Sequence, residues 1–158
     1  TDDVFWKEHP VKPERPETWK DYDITNYIKD GDIITLGNKT IYVYGTPGHT
    51  PGGLSYIFPV TENDKTYMAA LWGGTTPPRT KQGVIQYLKS LDYFLEKSAE
   101  KQVDVALSNH TAIDNGLERI AYSKARMNYM PNIYVIGQEG FKKYSQVFRT
   151  MSYDVLNK

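Results

Sequence analysis

Apolar and β-branched residues fall in short runs from Ile33 to Trp72 and then change to a spacing of three and four from Val84 onward. The first pattern is that of strands and the second that of helices. Ile33 to Leu36 and Thr40 to Tyr44, on either side of Gly37-Asn38-Lys39, predict a β-hairpin opened by the turn Asp30-Gly31-Asp32. Leu54 to Val60 and Thr66 to Trp72, joined across Glu62-Asn63-Asp64-Lys65, predict a second hairpin. Tyr67-Met68-Ala69-Ala70-Leu71-Trp72 is almost continuously apolar. That run predicts a strand buried on both faces and central in its sheet.

Val84, Leu88, Leu91 and Leu95, with Tyr87 and Phe94 beside them, predict a helix over residues 81 to 98 that packs one face on the sheet. A short buried strand, Val103 to Leu107, follows. Asp114 or Asn115 can cap a helix through Leu117, Ile120, Ala121 and Met127 that ends before Pro131. Ile133 to Ile136 reads as extended. A last helix is predicted from Glu139 to Asn157, with Phe141, Tyr144, Val147, Phe148 and Met151 in one stripe. Residues 1 to 23 hold Pro10, Pro13 and Pro16 and no sustained period, so they read as an irregular lead-in anchored by Phe5, Trp6 and Trp19. The sum is a mixed α/β chain of the α+β type, 1–158 forming a single domain without a repeat or linker.

Candidate chemistry lies between these elements. Thr46-Pro47-Gly48-His49-Thr50-Pro51-Gly52-Gly53 sets one of three histidines on a loop with two prolines and three glycines. Proline fixes φ and glycine reaches angles closed to other residues, so such a loop aims one imidazole. Gly73-Gly74-Thr75-Thr76-Pro77-Pro78 is a second stiff loop at a strand end, expected beside the first, and Ser108-Asn109-His110 is a third. His9, followed by Pro10 and without a nearby carboxylate or histidine at ligand spacing, reads as a surface residue. For His49 and His110 the plainer readings are a ring bonded to its own loop and an ordinary turn residue. Trp72 reads as core.

Composition narrows the class. Nineteen basic and nineteen acidic residues give a formal charge of zero, which argues against a nucleic-acid surface or a polybasic membrane patch. With no cysteine, a metal site here can use only histidine and oxygen ligands, and no thiol nucleophile is available. The longest apolar run is far short of the roughly 20 residues of a membrane helix.

Asp30-Gly31-Asp32, Leu36-Gly37, Thr46-Pro47-Gly48-His49-Thr50-Pro51-Gly52 and Leu107-Ser108-Asn109-His110 stand in an order and at spacings that resemble the metallo-β-lactamase superfamily. The resemblance implies two sheets sandwiched between helices, with zinc at one edge. It also implies that His49 is the third ligand of one zinc and His110 a ligand of a second. The superfamily's His-x-His-x-Asp-His motif is absent, and its usual distance upstream would put it before Thr1. The likeness is therefore to the C-terminal half of such a domain, and the chain is expected to be a C-terminal piece of a longer protein.

Where many members carry aspartate or cysteine after the strand matching Thr66 to Trp72, this chain has Gly73, Gly74 and Thr75. That is similar to subclass B3. It implies Thr75 as a binder of a substrate carboxylate, with a turn-forming threonine as the plainer alternative, and a periplasmic or secreted location. The implied activity is zinc-dependent hydrolysis of an amide or ester-type bond in a small molecule by metal-bound hydroxide. The piece alone is expected to be inactive and to hold zinc weakly or not at all. The alternative is a non-catalytic, metal-free half-domain that self-associates as a homo-oligomer, with no nucleic acid or membrane partner.

Overall fold

A computed structural model describes residues 26–157. The lead-in with its anchors Phe5, Trp6 and Trp19, and His9, lies outside the described residues. The described chain forms strands β1 (Ile33–Leu36), β2 (Lys39–Gly45), β3 (Leu54–Glu62), β4 (Lys65–Leu71) and β5 (Val105–Leu107). Helices α1 (Lys81–Glu100), α2 (Gly116–Ala125) and α3 (Gly137–Leu156) complete it.

Both expected hairpins form, with tighter turns than their sequences suggested. Leu36 pairs with Lys39 across Gly37, whose φ of +58° only glycine adopts freely. Glu62 pairs with Lys65 across Asn63 and Asp64, both left-handed at φ 48° and 63°. Two consecutive left-handed residues match the right-handed twist of the flanking strands, so the strands extend to the turn itself.

The five strands form one sheet in the order β1-β2-β3-β4-β5. Neighbours are antiparallel as far as β4, and β5 then joins β4 in parallel, its three residues pairing from Ala69↔Val105 to Leu71↔Leu107. The parallel addition needs a crossover, and α1 supplies it. β4 lies between β3 and β5, and its Ala69 and Ala70 are both buried, one on each face. Small side chains on both faces let layers close on either side of this strand.

The main core lies on one face. Tyr44, Ile57, Ala70 and Ala106 meet Tyr87, Leu91 and Phe94 of α1 and Phe141 and Phe148 of α3, with Trp72 at the strand end. Edge-to-face rings such as Trp72 on Tyr87 and Tyr144 on Phe148 add directional contacts to the burial. Of the predicted α1 positions Val84, Tyr87, Leu91 and Phe94 are buried and Leu88 and Leu95 half-buried, and Ser90 and Ser98 join the buried face.

In α3 the buried positions are Phe141, Ser145, Phe148 and Ser152, while Val147 is 47% exposed. Ser145 and Ser152 bond back to the carbonyls of Phe141 and Phe148 at 3.0 and 2.8 Å. Serines satisfied in this way can face the core and let the helices approach, which a hydrophobic stripe does not reveal.

The middle helix departs most from expectation. α2 ends at Ala125 because Arg126 turns extended, its guanidinium on the Glu62 carboxylate and the Met130 carbonyl. Asn115 sits at its N-cap position in a left-handed conformation and makes no capping bond, and the Asp114 carboxylate pairs with Arg119 at 2.6 Å. Leu117 and Ile120, apolar positions of the expected helix, are 68% and 44% exposed. Of Ile133 to Ile136, Val135 alone forms a bridge, to Val105.

Candidate functional site: three loops on one sheet edge

Strand direction places the candidate loops. β2 and β4 both run antiparallel to β3, and β5 runs parallel to β4, so β2, β4 and β5 end at the same edge of the sheet. The register is level as well, since Val43, Tyr56, Leu71 and Leu107 form one row across four strands. The loops of His49, Thr75 and His110 thus leave the sheet from neighbouring positions. The outer two strand ends stand about 14 Å apart at a spacing near 4.8 Å per strand.

The first two loops are bound to each other. In the His49 loop, Thr46 N–H donates to the Gly53 carbonyl at 2.7 Å and Gly48 N–H to the Thr50 carbonyl at 3.0 Å, which closes the turn. Ser90 of α1 donates to the Pro47 carbonyl at 2.7 Å. Gly48 has φ +140°, and a Cβ there would stand 2.6 Å from the Tyr87 backbone, so helix and loop touch at a position only glycine can fill. In the second loop, the Gly74 carbonyl accepts from Trp72 Nε1 at 2.5 Å and also from the Tyr87 hydroxyl. Burial pushes that hydroxyl's pKa up to about 12, so Tyr87 is a stable donor at neutral pH. A Cβ on Gly73 would lie 1.8 Å from the Leu54 carbonyl oxygen. The expectation that the two loops lie side by side holds.

The base of the His49 loop has its own clamp. Asp30 accepts from Gly45 N–H at 2.8 Å and from the Tyr93 hydroxyl at 2.9 Å. Gly45 is the last residue of β2, so this carboxylate sets where the loop begins. Burial first, and the bond to Asp30 second, push the Tyr93 hydroxyl to about 12, so it stays a donor.

His49 itself is exposed, and its Nδ1 lies 2.7 Å from the Thr76 carbonyl oxygen. A carbonyl can only accept, so Nδ1 carries the proton, and in the neutral ring Nε2 carries the lone pair. His110 is also exposed. Ser108 Oγ holds its backbone, taking the His110 N–H and donating to the His110 carbonyl, both at 3.1 Å, while the ring makes no hydrogen bond among the described residues. Thr75, the candidate for a substrate carboxylate, is 2% exposed and packed within the second loop, so its side chain is not offered to solvent. Trp72, at 3% exposure, is core as expected.

Among the described residues no three histidine, cysteine, aspartate or glutamate side chains converge as a metal group. His49 fits a metal ligand in exposure and tautomer, and His110 in exposure, but together they are part of a donor set. Sequence reasoning missed Ser55, whose hydroxyl lies between the loops, and the carbonyl of Thr76. Ser55 carried one signal, as the one polar side chain among the apolar residues from Leu54 to Val60.

A sheet of this order, with helices on its core face and these loops on one edge, has the fold of the metallo-β-lactamases. The subclass B3 metallo-β-lactamase BJP-1 of Bradyrhizobium japonicum superimposes with a TM-score of 0.68 at 21% identity, covering 91% of this chain and 55% of that one. MIM-1 of Novosphingobium pentaromativorans gives 0.68 at 15% identity, over 98% and 57%. In sequence, the hydroxyacylglutathione hydrolase of Crocosphaera subtropica is 41% identical over 39 residues, 25% of this chain and 15% of that protein. The same enzyme of Buchnera aphidicola is 44% identical over 41 residues, 26% and 16%. No family model matches the sequence. The chain spans about half the length of the solved structures it resembles.

Proposed function

We propose that this chain supplies part of the zinc site of a hydrolase acting on an amide or ester-type bond in a small molecule. His49 and His110 would be its ligands, and the remaining donors would come from outside the described residues. The observation that carries the reading is the bond from His49 Nδ1 to the Thr76 carbonyl. A second partner that holds one ring nitrogen protonated leaves the other free and oriented, as metal-binding histidines require. The three loops on one edge, and hydrolases as the relatives, support it.

Zinc in such a site supplies Lewis acidity and lowers the pKa of a coordinated water to about 7. This chain's residues do the preparation. Asp30 and Tyr93 set the loop base, Tyr87 and Trp72 fix the second loop, and Thr76 holds the His49 proton at Nδ1. Two neutral histidines without further donors bind zinc weakly, so the 158-residue chain alone is expected to be inactive.

Zinc titration of the chain, followed by histidine-ring NMR, tests this reading. The His49 and His110 rings are expected to shift together at high zinc, and His49→Ala to abolish the response. Rings unmoved at saturating zinc would overturn the ligand assignment. Strong turnover of nitrocefin, a lactone or a phosphodiester by the chain alone would overturn the division of labour.

A second reading is favoured by one observation. Edge strand β1 exposes Ile33 at 58% and Leu36 at 83%, and an uncovered apolar edge invites strand pairing. Self-association of the chain through β1 accounts for it, and a monodisperse monomer in light scattering at 0.1 mM, a concentration on the order of that where weak pairing shows, would remove it.

A further inference from the structure

Ser55 is the second residue of β3 and is fully buried, on the face where the alternation of Ile57 calls for an apolar side chain. A buried hydroxyl in a strand is costly unless its bonds are made. Here they are made to two particular places. Ser55 Oγ accepts the Gly73 N–H at 3.0 Å and shares a 2.7 Å bond with Thr46 Oγ1, itself 1% exposed. Thr46 opens the His49 loop and Gly73 opens the loop that carries Thr76. One oxygen atom therefore joins the roots of both.

The other braces act differently. Tyr87 ties the second loop to α1 through Gly74, and Ser90 ties the first loop to α1 through Pro47. Asp30 ties β2 to Tyr93. By hydrogen bond each fixes one loop against the body of the fold, while Tyr87 also meets the His49 loop by backbone contact at Gly48. Ser55 fixes the two loops against each other, and the bond between His49 Nδ1 and the Thr76 carbonyl spans that same junction.

We infer that Ser55 is a positioning residue for His49, holding the Thr46 and Gly73 roots together so that the Thr76 carbonyl selects the Nδ1–H form of the ring. The inference rests on the proposed ligand role of His49 for its consequence, and on the metal-free geometry for its content.

The test is the tautomer of His49, read from ring 15N shifts of the full, metal-free chain at a pH of about 9, where an imidazole is neutral. Wild type should show the Nδ1–H form predominating. Ser55→Ala should lose that predominance, and Thr46→Val, which cuts one of the two bonds, should lose part of it. Ser145→Ala removes an equally buried hydroxyl, bonded within α3, and should leave the tautomer unchanged. A folded Ser55→Ala chain with the wild-type tautomer would overturn the inference. An equal change in Ser145→Ala would do the same, because it would mark general loosening. If Ser55→Ala does not fold, Thr46→Val decides alone, and an unchanged tautomer there overturns it.

Zinc separates this inference from the proposed function. A tautomer change in Ser55→Ala without zinc uptake by wild type refutes the ligand role and leaves Ser55 as assigned. Zinc uptake that falls in Ser55→Ala, by no more than the about 10- to 100-fold that follows losing a ligand's own hydrogen-bond partner, here Thr76, supports both.

Discussion

His49 and His110 stand on loops from the same sheet edge, yet the fold treats them differently. The His49 loop is bound at its base by Asp30, across its turn by its own backbone, along its side by Ser90, and at its ring by Thr76. The His110 loop is held by Ser108, by its own backbone bonds from Ile113 N–H to the His110 carbonyl and from Gly116 N–H to the Thr111 carbonyl, and by the Asp114–Arg119 pair, all local in the chain, and leads into a helix with no side-chain cap and an exposed apolar face. One imidazole is oriented before any ligand arrives. The other has its backbone set and its ring free. Preorganisation costs conformational entropy at folding, and a ring left free meets that cost when the ligand binds. A site built from one of each keeps a fixed point and an adjustable one.

The sharpest way to break this contrast is through glycine. Gly48→Ala, at φ +140° in the His49 loop, would force a Cβ to within 2.6 Å of the Tyr87 backbone, whereas Gly116→Ala, at the start of α2 after the His110 loop, meets its nearest atom at 3.0 Å. The first should lose about 4 kcal/mol or fail to fold, and the second should stay within about 1 kcal/mol of wild type. Urea unfolding measures both, and equal losses would mean that the two loops are equally constrained.

A smaller effect is expected at the loop base. Asp30→Ala strips the acceptor from Gly45 N–H and the Tyr93 hydroxyl, and since Asp30 is exposed, water replaces part of what is lost. The expected cost is about 2 kcal/mol, against about 0.5 kcal/mol for Ser108→Ala in the His110 loop. Ser108→Ala costing as much as Asp30→Ala would erase the contrast.

Alkaline pH reaches the tightly held side through Tyr87. Tyr87 is fully buried, and its hydroxyl is raised to about 12. Above pH 10 the unfolded chain's tyrosine loses its proton while the folded one keeps it, so the folded state binds more protons and stability falls as pH rises. The slope is about 1.4 kcal/mol per pH unit from this residue between pH 10 and 12. Tyr87→Phe should cost about 1 kcal/mol at pH 7 and remove that part of the alkaline fall. An unchanged alkaline slope in the variant would show that the hydroxyl already titrates normally in the fold.

Much of the fold was legible from period alone. The two hairpins, α1 and the α3 helix followed from alternation and from three-and-four spacing, because each strand or helix answers mainly to its own residues. The failures share a cause. Leu117 and Ile120 have helical spacing and still face solvent, since a stripe shows that a helix has an apolar side and not that something covers it. Ser145 and Ser152 were passed over because their bonds to the preceding turn make them compatible with the core.

For the site, the sequence by itself determined a stiff, histidine-bearing loop at a strand end, because proline and glycine act on the backbone where they stand. Tertiary structure decided everything that depends on distant partners. Strand order and the parallel addition of β5 put three loops on one edge. Thr76, 27 residues from His49, determined which nitrogen of its ring is free. Ser55, the one polar side chain among the apolar residues from Leu54 to Val60, acquired meaning from Thr46 and Gly73, which lie 9 and 18 residues away along the chain and within one hydrogen bond in space.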